Sequence, residues 1–309
     1  MTRLRNVIGY LITAGLFAWA GIWVTRNWDS VSRAFSLRPG YLLALIPMVV
    51  VGVILSGLMN QLMASHLGAP LRFVQWASLA FASTMANYGL PLAGVTLRAG
   101  YYKRQSGFPI ASFASGMAVA YVVTVLVNSL TVIAAVAWIG PASGRALPPL
   151  MWAAAAVAAV CGLVLAFSPK AAKGEPTHRI WNALARVHAG WDMLRHSPAL
   201  LAKAFALSLA ATLLYALRLW IAFAATGHPT SIPACLLVGG LAALSMFISL
   251  TPASLGIREG VIIFSSYAVG VPPEVSLIAS TLDRTVAMVI VLPIGSLAAF
   301  RLSRETAGA

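Results

Sequence analysis

About eight apolar runs, most of them close to the roughly 20 residues a membrane-crossing helix needs, succeed one another along this chain with the charge confined largely to short connections. In hydrocarbon a helix satisfies its own backbone hydrogen bonds, so a succession of such runs predicts an all-α polytopic membrane bundle. Composition agrees: 60% of residues are apolar and 9% charged, which leaves no room for a soluble domain of any size. Twenty-one Lys and Arg against seven Asp and Glu would point to nucleic acid in a soluble protein. Here the bases fall between apolar runs, the positive-inside pattern that sets orientation and favours anionic lipid headgroups, and nucleic acid is not an expected partner.

The expected spans are Leu4 to Val24, Tyr41 to Met63, Pro109 to Ile139, Leu150 to Phe167, Leu200 to Thr226, Ile232 to Leu250 and Val275 to Phe300, with a short run from Phe73 to Leu90. This gives about seven or eight transmembrane helices, two broken or re-entrant segments, and one domain over 1–309. Ala18-Trp19-Ala20 resembles a signal-peptidase site, but the apolar run continues through it to Trp23, so the first span is expected to stay uncleaved. Between Ser168 and Pro198 lies the main polar connection, with Lys170, Lys173, Arg179, Arg186 and Arg195. Within it Ile180, Leu184, Val187, Trp191 and Leu194 share one helical face, which suits a helix lying in the interface or packed on the bundle. Placing this connection and Arg3 and Arg5 in the cytoplasm requires both broken segments to enter and leave on one side.

The two broken segments resemble each other. In the first, Asn87 leads to Pro91, Gly94, Arg98 and Gly100; in the second, Ser245 leads to Pro252, Gly256, Arg258 and Gly260. Proline removes a backbone donor and glycine permits unusual dihedrals, so each segment is expected to unwind near its proline. Paired interruptions at matching places in two halves point to a transport site built from discontinuous helices. Charge at membrane depth points the same way, because it is costly unless buried in protein or lining a polar cavity.

These residues resemble the lysylphosphatidylglycerol synthetase transmembrane region, a flippase-like membrane family. The resemblance rests on the Asn87, Pro91, Gly94, Arg98 series with the long run after Pro109, and on Pro252, Gly256, Arg258, Glu259 followed by Asp283 and Arg284. Members usually carry a Gly-Gly pair after the second proline, where this chain has Ala253 and Ser254. In bifunctional members a soluble aminoacyl-transferase domain follows the membrane part and makes the lipid that the membrane part is thought to translocate. This sequence ends at Ala309, so the resemblance implies the membrane function and not lipid aminoacylation. It implies a lipid substrate in the cytoplasmic (inner) membrane without naming the lipid.

Arginine suits a headgroup path, since its fork binds phosphate bidentately and its charge persists. The expected headgroup site is Arg98, Arg258 and Arg284, with Glu259 and Asp283 holding the guanidinium groups when no lipid is bound, or fixing the bundle as internal ion pairs. Arg218, off-centre in its run, is expected to face the cavity, and Asn87 is also expected among the substrate-binding residues. Asn60, Gln61 and Asn128 are expected to bond neighbouring helices. Cys161 and Cys235 lack ligand spacing, and the five histidines fall in connections, so neither a metal nor a cofactor is expected. The chain is read as a non-enzyme. The alternatives are a lipid-modifying enzyme using Glu259 as general base, which the adjacent arginine disfavours, and a structural subunit docked to a lipid-synthesis enzyme. No Walker motif is present to couple transport to ATP.

Overall fold

The computed structural model describes residues 25, 39–90, 92–143, 149, 152–154, 156–157, 160, 197–245, 254 and 256–307. The expected first span, most of the Leu150–Phe167 run, the basic connection up to residue 196, and both Pro91 and Pro252 lie outside them. Among the described residues the elements are helices joined by turns: α1 Pro39–His66, α2 Phe73–Gly89, α3 Ala93–Ser106, α4 Ile110–Ser143, α5 Pro198–Ala225, α6 Ile232–Ser245, α7 Ile257–Ala268 and α8 Pro273–Ala307.

Length separates them into two kinds. α1 and α5 have 28 residues each, α4 has 34 and α8 has 35. At about 1.5 Å per residue these exceed the roughly 30 Å hydrocarbon core, and all four contain long apolar windows. α2, α3, α6 and α7 have 17, 14, 14 and 12 residues. At about 18 to 26 Å each falls short of a crossing. Of the expected run Ile232 to Leu250, the described residues form a helix over Ile232–Ser245, and residues 246–250 lie outside them.

Each short pair forms a hairpin. In the first, the Asn87 side chain at the end of α2 accepts from the Gly94 backbone N–H of α3 at 2.8 Å, and Arg98 Nε donates to Ser83 Oγ at 2.6 Å. Those two rungs define antiparallel helices with the break at the tip. Leu92 sits there at φ 64°. Gly94 is obligatory for the close approach, because a Cβ on it would lie 2.2 Å from the Ser83 carbonyl oxygen. In the second hairpin α7 packs back on α6, and its break carries Ser254 at φ 54° and Gly256 at φ 81°.

The order long, short, short, long occurs twice, and packing follows it. α1 on α2, α2 on α3, α3 on α4 and α1 on α4 are matched by α5 on α6, α6 on α7, α7 on α8 and α5 on α8. Across the halves, α2 on α8 is matched by α6 on α4, and α1 on α8 by α5 on α4. Individual residues obey the same correspondence. Aligning Pro39 with Pro198 places Gly57 on Ala216 and Ala80 on Gly239, and Gly57 packs on Ala80 as Gly239 packs on Ala216. Aligning Ile110 with Pro273 places Val132 on Gly295; Gly295 takes Phe81 as Gly240 takes Val132, with large and small residues exchanged.

The two halves run in opposite directions. His66, at the end of α1, meets Ser197, just before α5, at 3.4 Å, while Gly52 in mid-α1 faces Leu214 and Arg218. α1 and α5 are thus antiparallel, and the molecule is built from inverted repeats, the arrangement associated with midplane transport sites. Small residues at Gly57, Gly239, Gly240 and Gly295 allow the close helix contacts that replace hydrophobic driving force in lipid. Pro47 and Pro293 lie inside α1 and α8, which neighbouring helices can accommodate in a bundle.

Candidate functional site

α7 begins at the break, and its first turn carries Arg258 and Glu259 into the bundle. Glu259 Oε2 accepts from the Gly256 backbone N–H at 2.8 Å, so one carboxylate oxygen satisfies an otherwise open donor at the helix start. Its other oxygen, Oε1, accepts from Arg284 Nη1 of α8. One residue earlier on each helix the signs are reversed: Arg258 Nη2 donates to Asp283 Oδ2 at 2.8 Å.

Asp283 is the centre of the assembly. Its side chain has no exposed surface, and its Oδ1 accepts from Arg218 Nε at 3.0 Å and Nη2 at 2.7 Å. The Arg218 fork therefore grips from α5 while Arg258 binds from α7, and one carboxylate ties three helices together. Tyr215, three residues before Arg218 and so on the same face of α5, completes the shell. Its hydroxyl accepts from Arg258 Nε at 2.8 Å, and its ring lies 5.1 Å from the Arg258 guanidinium and 5.9 Å from that of Arg218.

Asp283 lies ten residues into α8 from Pro273, about 15 Å along the axis, which is half the hydrocarbon thickness. Arg218, Arg258 and Glu259 keep side-chain exposures of 14%, 11% and 15%. The Asp283 carboxylate is sealed, while the groups around it keep some exposed surface. Tyr88, at the end of α2, is within electrostatic range of Arg284, Arg258, Arg218 and Asp283, so the tip of the first hairpin approaches the same cluster as the start of α7.

The structure brings together Arg258, Glu259, Asp283, Arg284 and Arg218 among the residues expected from sequence. Arg98 has a different seat: it lies between α2 and α3, bonded to Ser83, with Tyr102 and Tyr121 as its electrostatic neighbours. The repeat explains this. Aligning Gly100 with Gly260 sets Arg98 on Arg258, and the alignment of α4 with α8 sets Ala120 and Tyr121 on Asp283 and Arg284. The first half keeps the arginine of the short helix and has no acid at the matching place. Asn87 acts as a cap on Gly94, and Gly94 and Gly256 sit at the two breaks as expected, while Pro91 and Pro252 fall outside the described residues.

Asn128 and Gln61 behave as interhelical bonds: Thr212 donates to Asn128 Oδ1 at 3.1 Å, and Tyr102 donates to Gln61 Oε1 at 3.0 Å, whereas Asn60 Nδ2 donates to the Ser56 carbonyl of its own helix at 2.6 Å. Tyr215 and Tyr88 are the site residues that run-length reasoning passes over. Spacing to Arg218 could have found the first; nothing local marks the second. Among the described residues no group of three His, Cys, Asp or Glu is placed to hold a metal.

A search of curated proteins finds no match to this chain. The family model described as lysylphosphatidylglycerol synthase TM region matches residues 6–295, and the chain belongs to that family of membrane proteins.

Proposed function

We propose that this protein carries the headgroup of an anionic, phosphate-bearing lipid across the cytoplasmic membrane, along the face where the two hairpins approach each other, without changing the lipid covalently. The observation that carries this reading is the Asp283 assembly. Among the described residues, three arginines, Arg218, Arg258 and Arg284, gather around two carboxylates at mid-depth. Apolar side chains of similar volume would join α5, α7 and α8 at least as stably as buried ion pairs, so stability alone does not account for three arginines here. A phosphate entering the cluster would take over donors now held by Asp283 and Glu259, while the acyl chains remain in lipid.

Glu259 is built into the framework of the site, with Oε1 held by Arg284 and Oε2 by the Gly256 N–H, which suits a positioning role.

The charge distribution supports a direction. Arg72, Lys103, Arg104, Lys203, Arg301 and Arg304 all lie toward the end of the bundle where α2 and α5 start and α3 and α8 finish. At the opposite end the described residues include no Lys or Arg. By the positive-inside rule the basic end faces the cytoplasm. The first hairpin then enters from the cytoplasm, the second from the opposite side, and residue 307 lies on the cytoplasmic side.

The test is reconstitution of the full chain into vesicles with a phospholipid whose headgroup can be quenched from outside, followed by mass analysis of the recovered lipid. Headgroups should exchange between leaflets at unchanged mass. Lipid of altered mass would assign an enzyme, and exchange no faster than in protein-free vesicles would remove transport.

A further inference from the structure

At the basic end, α2, α3 and α8 leave between them a cleft of about 600 Å³, within the range that holds a small-molecule headgroup. Arg72 stands on one wall at the start of α2 and Arg301 on another near the end of α8, with Gln75 and Gln105 between them. Glu305 also lines the cleft, but its carboxylate is already committed. Tyr101 donates to Oε2 at 3.2 Å, Gln75 Nε2 lies 3.5 Å from the same oxygen, and Arg301 Nε meets Oε1 at 3.3 Å. Those bonds run from α8 to both helices of the first hairpin, so Glu305 holds the walls at a fixed separation. The Arg301 contact is of the exposed i,i+4 kind, with the arginine 58% exposed, and is worth little against a competing phosphate.

Val74 lines the cleft beside Arg72. Phe73 on α2, and Leu297 and Phe300 on α8, are exposed large side chains within one or two turns of the two arginines. Phe300 also carries the Arg304 guanidinium 5.0 Å above its ring. A free phosphate would have no use for such a flank. A molecule with a phosphate at one end and acyl chains at the other matches both parts.

We propose that this cleft binds the phosphodiester headgroup of an anionic glycerophospholipid from the leaflet at the basic end, with Arg72 and Arg301 on the phosphate and the acyl chains along Phe73 and Leu297. It shares no residue with the Asp283 cluster and stands whether or not that cluster moves lipid.

Native mass spectrometry of the full chain in detergent tests this, with phosphatidylglycerol, phosphatidylethanolamine and inorganic phosphate each added alone. Phosphatidylglycerol should bind one equivalent that the double variant Arg72→Gln, Arg301→Gln weakens roughly 10- to 30-fold, the effect of removing two cations near a lipid phosphate. Arg72→Lys with Arg301→Lys should restore most of it, and Arg258→Gln should leave that equivalent in place. Thermal unfolding of the double variant at the wild-type temperature would show that the fold is intact. Equal phosphatidylglycerol binding by wild type and the double Gln variant would overturn the proposal. So would phosphatidylethanolamine binding as tightly as phosphatidylglycerol, or inorganic phosphate displacing the lipid at equal concentration.

Discussion

Arg258 reaches Asp283 across the α7–α8 seam at 2.8 Å, and the next residue on each helix, Glu259 and Arg284, forms a second pair with the charges exchanged. Two carboxylates thereby hold three arginines when Arg218 is included, and the second carboxylate also fixes the start of α7.

Removing the central carboxylate should be the most damaging single change. Asp283→Asn leaves Arg218 and Arg258 facing a neutral amide in a site with no exposed surface at residue 283. Breaking a buried pair in this way costs about 3–5 kcal/mol. Thermal unfolding in detergent should show a large drop, and adding Arg258→Gln to Asp283→Asn should lower stability by less than the two single effects summed.

Tyr215 separates a hydrogen bond from ring stacking. Tyr215→Phe keeps the ring beside Arg258 and Arg218 but deletes the hydroxyl acceptor 2.8 Å from Arg258 Nε. A bond to a charged group is worth about 1.5–3 kcal/mol, so a moderate loss of stability is expected, and Tyr215→Ala should lose more. Equal stability for wild type and Phe would remove the bond from the account.

The first hairpin depends on Gly94. Gly94→Ala drives a methyl group into the Ser83 carbonyl and the Asn87 side chain, and overpacking of this kind costs about 1–3 kcal/mol. Gly100→Ala, on the same helix with nothing within 4 Å of its added Cβ, should be neutral or slightly stabilising. Comparing the unfolding temperatures of the two variants checks the hairpin geometry.

The inverted halves fix which positions share a side, and the proposed orientation puts the basic end in the cytoplasm. In a chain carrying Cys161→Ser and Cys235→Ala, single cysteines introduced at Ser303 and at Ser231, both exposed, lie at opposite ends of the bundle. An impermeant thiol reagent applied to intact cells should label Ser231→Cys and spare Ser303→Cys until the membrane is opened. Labelling of both from one side would contradict the repeat orientation.

Much of the fold was legible in the sequence, because run length and charge placement are themselves the physical constraints of a bilayer. α1, α4, α5 and α8 coincide with expected runs, and both breaks fall where Pro and Gly accumulate. α6 covers the first part of the expected Ile232 to Leu250 run, whose last five residues lie outside the described ones. Pairings within the site were less visible. Adjacent residues on a helix diverge by about 100°, so Arg258 and Glu259 seek partners on α8 and not each other. Arg98 was grouped with Arg258 on motif likeness, which reflects the repeat correctly, but the repeat places the two in different halves. Arg218 was harder to weigh because a long side chain toward the end of a run can equally reach the interface, and only tertiary packing aims it at Asp283.

Headgroup exchange in vesicles reconstituted with Arg258→Gln, against wild type and Arg258→Lys, tests the central claim most directly, since Asp283 keeps its bonds from Arg218 in both variants. The account predicts that the Gln protein still folds, less stable than wild type because it loses one Asp283 bond and the Tyr215 bond, yet exchanges lipid at least about tenfold more slowly, with Lys intermediate because it keeps the charge and loses the fork. A folded Arg258→Gln protein that exchanges lipid at the wild-type rate would contradict it.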